Sequence, residues 1–275
     1  PRWFPWWYCG TPSLRFYPPL SYFFTNFIGW LLQLSPLEAY TFTDLFTFYI
    51  TGLSLYMLMR RIGLTRPSSV ASAALYMLSP QTLYGRFFIG HFTHNFSMFL
   101  IPLTFYCIIT YGRDLKKTIL ATAPLFALTF LSHLQTALSL GFMVAIYIFL
   151  TIIIRKRRDL LRHLQGVLIG GLIGVLLAGF WLVPSILEGM GRLSLTREAA
   201  LQVMIPIESL FVPADRIWYL PPLQKIWCKQ YFLGIPMIAL SMISIMLIVK
   251  GEIPPEKRLW WSISASWVLF LLLAI

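Results

Sequence analysis

The sequence predicts an all-α fold, a polytopic transmembrane helical bundle of about eight spans with a short interfacial helix on its external side. Three observations predict it. Hydrophobic residues make up 58% of the 275 and charged residues 12%, where a soluble domain carries roughly a quarter charged. The mean hydropathy is +0.73. The Lys and Arg residues gather in short clusters between apolar runs, the placement that the positive-inside rule produces. The net charge of +12 therefore reads as topology, and a nucleic-acid partner is excluded.

Taken in order, apolar runs near the spanning length of about 20 residues occupy 38–59, 68–86, 96–112, 118–132, 136–154, 163–184, 231–249 and 259–275. Pro80 and Pro124 interrupt the second and fourth, and the count across 118–154 stays open. Arg60, Arg61 and Arg66 follow the first span. Arg113, Lys116 and Lys117 follow the third, the run Arg155 to Arg162 the fifth, and Lys250, Lys257 and Arg258 the seventh. These loops alternate, so they are cytoplasmic, and segments 1–36 and 185–230 are extracytoplasmic. The run 20–34, LSYFFTNFIGWLLQL, is too short to span, and spanning would put the Arg60–Arg61 cluster on the wrong side. It reads as an amphipathic helix on the outer surface, broken by Ser35-Pro36.

Span 163–184 carries Gly166, Gly170 and Gly174 at four-residue spacing, which admits a neighbouring helix at close range. Cys9, Cys107 and Cys228 show neither metal spacing nor a disulfide framework. The chain opens on PRWFPWWYCG, without initiator methionine or signal peptide, and closes on an apolar run. Both ends read as cut, so 1–275 is expected to be a single incomplete transmembrane domain.

Polar groups inside or beside spans are functional candidates by default. Asp44 sits near the outer end of the first span, where Thr41 and Thr43 are at hand to satisfy its carboxyl, and structural and functional readings both stand. Glu38 follows Ser35-Pro36 as an N-capping acid would, and remains a secondary acid candidate. The outer loop YGRFFIGHFTHNFS gathers Arg86, His91, His94 and Asn95. With no carboxylate in this loop a zinc site is not expected. The groups suit a phosphate, whose oxygens accept hydrogen bonds, or else they anchor the interface. Ser132, His133, Gln135 and Thr136 lie at another outer turn, so His91, His94 and His133 are expected to share a polar cavity. No nucleophile elbow, glycine phosphate loop or paired-cysteine metal motif is present.

Two motifs carry a family resemblance. PRWFPWWYCGTPSLRFYPPL (1–20) is similar to the W(F/Y)PxWxxGxPxxxFYPPL pattern of the membrane family called 6-pyruvoyl-tetrahydropterin synthase-related, and SHLQTAL (132–138) resembles a second element of it. The layout also resembles the first external loop of GT-C membrane glycosyltransferases. That resemblance implies a GT-C-like fold in a prokaryotic plasma membrane. It implies transfer of a sugar from a polyprenyl-phosphate carrier to a glycan or protein acceptor at the external face. Arg15, Tyr17, Pro18 and Pro19 would wall the site, with Arg15 against the lipid-linked phosphate and Arg86, His91, His94, His133 and Gln135 completing the substrate contacts. The superfamily uses an acid in the first external loop, as base or as support for a divalent cation such as Mg or Mn. Residues 1–36 hold no Asp or Glu, so that acid is expected upstream of Pro1. A transporter or flippase, and a non-catalytic scaffold in surface-polymer assembly, are the alternatives.

Overall fold

The structure, a computed structural model, describes residues 17–79, 82–83, 85–154 and 157–187. Every regular element among them is helical: α1 (Leu20–Leu32), α2 (Pro36–Arg61), α3 (Arg66–Met77), a π-helical turn (Gly85–Ile89), α4 (Phe92–Ser97), α5 (Leu100–Tyr111), α6 (Leu115–Ser132), α7 (Leu134–Ile154) and α8 (Arg157–Ser185). Among the described residues, four stretches are long and apolar enough to cross a bilayer: Pro36–Arg61, Phe92–Tyr111, Leu115–Ser132 and Leu161–Ser185. The expected spans at 231–249 and 259–275, and nearly all of loop 185–230, lie outside the described residues.

Local sequence sets the helix starts. Ser35 and Glu38 form a reciprocal capping box at α2: the Glu38 carboxylate accepts from the Ser35 N–H (2.8 Å) and hydroxyl (2.7 Å), and the Glu38 N–H donates back to Ser35 Oγ. Thr65 caps α3 through the Ser68 N–H. Asp114 caps α6 through the Lys117 N–H at 3.0 Å. Pro124 lies inside α6 without ending it. The expected span over 68–86 is corrected: α3 stops at Met77 after 12 residues. Ser79 precedes Pro80, and the residue before a proline disfavours helix.

The chain forms two compact units. The first comprises Pro1–Arg61, His91–Leu138 and Arg162–Ser194; the second comprises Ile62–Gly90, Ser139–Leu161 and Leu195–Ile275. In the first unit α2 and α6 pack on α5, α1 packs on α2, and α4 sits against α1, α2 and α6. Its core includes Leu58, Phe96, Leu100, Phe105, Ile108 and Phe126. In the second unit Leu140 and Tyr147 of α7 are fully buried.

Within the first unit the polar pattern is inverted relative to a soluble protein. Along α2, Thr43, Thr47, Thr51 and Ser54 form a buried stripe, while Leu37, Leu45, Tyr49 and Leu53 are exposed. Thr47 donates to the Asp44 carbonyl and Thr51 to the Thr47 carbonyl. Helix backbone therefore satisfies the Thr47 and Thr51 hydroxyls, and small residues face the neighbouring helices where close approach is needed. On α6 the same kind of stripe meets the glycines of α8. A Cβ added at Gly166 would lie 3.0 Å from Thr118 Cβ; at Gly170 it would strike the Thr122 hydroxyl, and at Gly174 the Phe126 Cβ. The glycine spacing thus serves one specific contact, α8 against α6.

Candidate functional site

The site is built where α4 meets the junction of α6 and α7. His133 closes α6, donating its N–H to the Thr129 carbonyl at 3.0 Å. It adopts an extended conformation (φ −160°, ψ 117°) and then starts α7, its carbonyl accepting from the Ala137 N–H. Its ring turns to the same helix start: the Thr136 N–H donates to His133 Nδ1 at 3.2 Å. This is the geometry of an N-cap, with imidazole nitrogen in place of the usual oxygen.

Thr136, 2% exposed, is the hub. Its hydroxyl lies 2.9 Å from His133 Nδ1, 3.2 Å from His94 Nδ1 and 2.9 Å from Ser97 Oγ. Ser97 also donates to the His94 carbonyl at 2.7 Å. The His94 and His133 rings meet edge to face at 5.1 Å between centroids, and His91 stands 6.5 Å from His94. Burial lowers the pKa of His91. Burial, and then the positive charge of His91, lower that of His133 to about 4, so His133 is neutral at pH 7.

An aromatic chain seats α4. Tyr17 contacts Tyr22 (6.4 Å), Tyr22 contacts Phe92 (6.1 Å), and Tyr40 meets Phe92 at a tilt, 4.7 Å between centroids. Phe24 meets Phe96 at 5.4 Å. Burial, then the neighbouring Tyr17 and Tyr40, raise the pKa of the Tyr22 phenol. Tyr17 is thereby linked through the Tyr22 ring to Phe92, the residue beside His91. Pro18 and Pro19 are buried, and the Pro19 carbonyl accepts from the Phe23 N–H at the start of α1.

The other candidates are placed as follows. Arg15 lies outside the described residues. Gln135 is exposed in the first turn of α7. Arg86 is buried in the π-helical turn and belongs to the second unit. Glu38 is held in the capping box described above. The expected Thr41 and Thr43 support for the Asp44 carboxyl is corrected: Thr41 donates to the Leu37 carbonyl instead, and the buried Thr43 hydroxyl has no hydrogen-bond partner. Helix geometry explains this, since a threonine hydroxyl reaches the carbonyl one turn back more readily than a side chain beside it. Asn95, which the sequence groups with Arg86 and the histidines of the outer loop, is 5% exposed. Hard divalent cations need several oxygen ligands, and among the described residues no group of three His, Cys, Asp or Glu is arranged to hold a metal.

Two residues escaped the sequence reading. Ser97 follows the polar groups of the outer loop and carried no role in the sequence. His163 of α8 is 1% exposed and hydrogen-bonds through Nδ1 to the Gly112 carbonyl at 2.9 Å, satisfying a carbonyl at the end of α5. A partner 51 residues away leaves no pattern in the sequence.

The first unit has two chemically distinct ends. At one, Arg61 Nε donates to Thr110 Oγ1 at 3.1 Å, bringing the end of α2 to the end of α5, beside Arg113, Lys116 and Lys117. At the other, the starts of α2, α4 and α7 meet the end of α6 around the histidines. The 18 residues of α6 separate these ends by about 27 Å.

Fold and composition define a helical-bundle membrane protein with a histidine and hydroxyl cluster at one end. The family model of the 6-pyruvoyl-tetrahydropterin synthase related domain, described as a membrane protein, matches residues 14–274. The chain belongs to that family. No curated protein and no solved structure matches it significantly.

Proposed function

We propose that the chain is the membrane core of a GT-C-type transferase, moving a sugar from a polyprenyl-phosphate donor to a glycan or protein acceptor at the extracytoplasmic face of a prokaryotic plasma membrane. The observation that carries this reading is the gathering of His94 and His133 around Thr136, with His91 beside His94 and Tyr17 of the Tyr17-Pro18-Pro19 motif joined to Phe92 of the same cluster by ring contacts. The cluster lies at the end of the unit opposite Arg61, Arg113, Lys116 and Lys117, and the positive-inside rule assigns that opposite end to the cytoplasm. Imidazoles and hydroxyls beside the exposed aromatic side chains of Tyr17, Tyr22, Phe23 and Tyr40 suit a ligand with a polar head and an apolar tail.

The test uses the full-length protein in lipid nanodiscs with radiolabelled polyprenyl-phosphate hexoses. Labelled acceptor product supports the reading. Movement of intact donor between leaflets without product would replace it with a flippase, and neither outcome with any donor would leave a scaffold.

A further inference from the structure

The basic end of the first unit draws four helix ends to one turn. Arg61 is held against the end of α5 by the bond from its Nε to Thr110 Oγ1 at 3.1 Å. The His163 contact with the Gly112 carbonyl at 2.9 Å brings the start of α8 to the same place. Arg113 and Arg162, each next in sequence to a member of that bonded pair, therefore flank it. The Thr118 hydroxyl closes the turn onto α6, within 2.7 Å of the Tyr111 carbonyl and 2.8 Å of the Asp114 carbonyl. Lys116 and Lys117 follow in the first turn of α6. Asp114 is the one acid among the described side chains at this end, and it is committed: it caps α6 and meets Lys117 Nζ at 3.3 Å. Arg61, Arg113, Lys116 and Arg162 are exposed, and no described residue forms an ion pair with any of them.

Two features point to a phospholipid as the missing counter-charge. The positive-inside rule asks for cations on this side, but not in the first turn of a helix, where the macrodipole disfavours them. Lys116 sits there beside three other cations without a carboxylate, and an anion offsets that excess. On α6, Lys116, Leu120, Pro124 and Leu128 recur every four residues and all are exposed, so one face runs from a cation down an apolar ridge. An anionic phospholipid has the same order, a charged head and then an acyl chain, whereas a soluble phosphate would use the head of the ridge alone. We propose that Arg61, Arg113, Lys116 and Arg162 form a headgroup site for an anionic phospholipid of the cytoplasmic leaflet, with an acyl chain along Leu120, Pro124 and Leu128. The planar guanidinium groups pair with phosphate oxygens two at a time. Phosphatidylcholine carries the same phosphate, but its choline cancels the charge that the site selects. The site lies at the end of the unit away from the histidines and is independent of the transferase reading.

The test titrates phosphatidylglycerol or phosphatidylcholine into delipidated full-length protein in detergent and counts bound lipid by native mass spectrometry. The wild type should retain phosphatidylglycerol in preference to phosphatidylcholine. Arg113→Gln and Arg162→Gln should each weaken that retention about fivefold, and together about thirtyfold. Lys257→Gln with Arg258→Gln, which removes the same charge from another basic cluster, should leave it unchanged. Equal retention of the two lipids by the wild type, or equal losses in the two double variants, overturns the site. A second measurement needs no variant: phosphatidylglycerol should raise the unfolding midpoint of the wild type, and phosphatidylcholine or inorganic phosphate should not. A rise with inorganic phosphate as large as with phosphatidylglycerol would make this a free-anion site and overturn the lipid, as would no rise with phosphatidylglycerol.

Discussion

The Thr136 backbone N–H donates to His133 Nδ1 across 3.2 Å, so one imidazole both caps α7 and stands in the candidate site. Structure and recognition are coupled through this ring, and the two roles separate by substitution. His133→Ala removes the cap and should lower stability by about 1 kcal/mol. His133→Asn restores an N-capping acceptor and should return stability to within a few tenths of a kcal/mol of wild type, yet it lacks the ring N–H and should not recover hexose binding. Thermal unfolding in detergent and a hexose-lipid titration on the same variants check this.

Stability should also fall in mild acid. The folded pKa of His133, about 4, lies below its usual 6.5. Between those values the unfolded chain binds the extra proton, so acidification favours unfolding. The contribution is fully present above pH 6.5 and is lost as pH falls toward 4. In His133→Asn the slope of the thermal midpoint against pH over that window should be shallower than in wild type.

The contact between α6 and α8 predicts a sharp contrast between two glycines three residues apart. A Cβ at Gly174 would sit 2.8 Å from the Ala123 carbonyl and 3.1 Å from the Ala127 nitrogen, whereas at Gly171 it would meet Phe126 at an ordinary 3.8 Å. Gly174→Ala should cost about 1–3 kcal/mol. Gly171→Ala should be neutral or stabilising by up to about 1 kcal/mol, because alanine restricts the unfolded chain. Unfolding midpoints of the two variants decide it.

At the basic end, His163→Leu leaves the Gly112 carbonyl without its imidazole donor. A loss of about 1–3 kcal/mol is expected, with hexose binding unchanged because the histidine cluster lies at the far end of α6. Gly112→Ala should be no better tolerated, since its Cβ would strike the His163 ring.

Much of this was readable from residue order because it is local. Ser35 and Glu38 announce a capping box, Gly166, Gly170 and Gly174 announce a close helix contact, and His91, His94 and His133 fall in loops assigned to one side. The rest depends on distance or on chemistry that hydropathy does not count. Span 68–86 looks continuous on an apolar scale, yet α3 ends before Ser79-Pro80. Thr43, Thr47 and Thr51 read as an unremarkable part of a span until their burial shows which face is inward. The Thr136 hub joins residues 39 to 42 positions apart, and only the fold brings Ser97 and His94 to it.

The central claim is tested most directly by hexose transfer from labelled polyprenyl phosphate, comparing the full-length wild type with His94→Gln in nanodiscs. The account predicts product with the wild type and a loss of about a hundredfold in the variant, with the unfolding midpoint retained. A folded wild-type protein that forms no product with any hexose donor, or a His94→Gln variant that transfers at the wild-type rate, would contradict it.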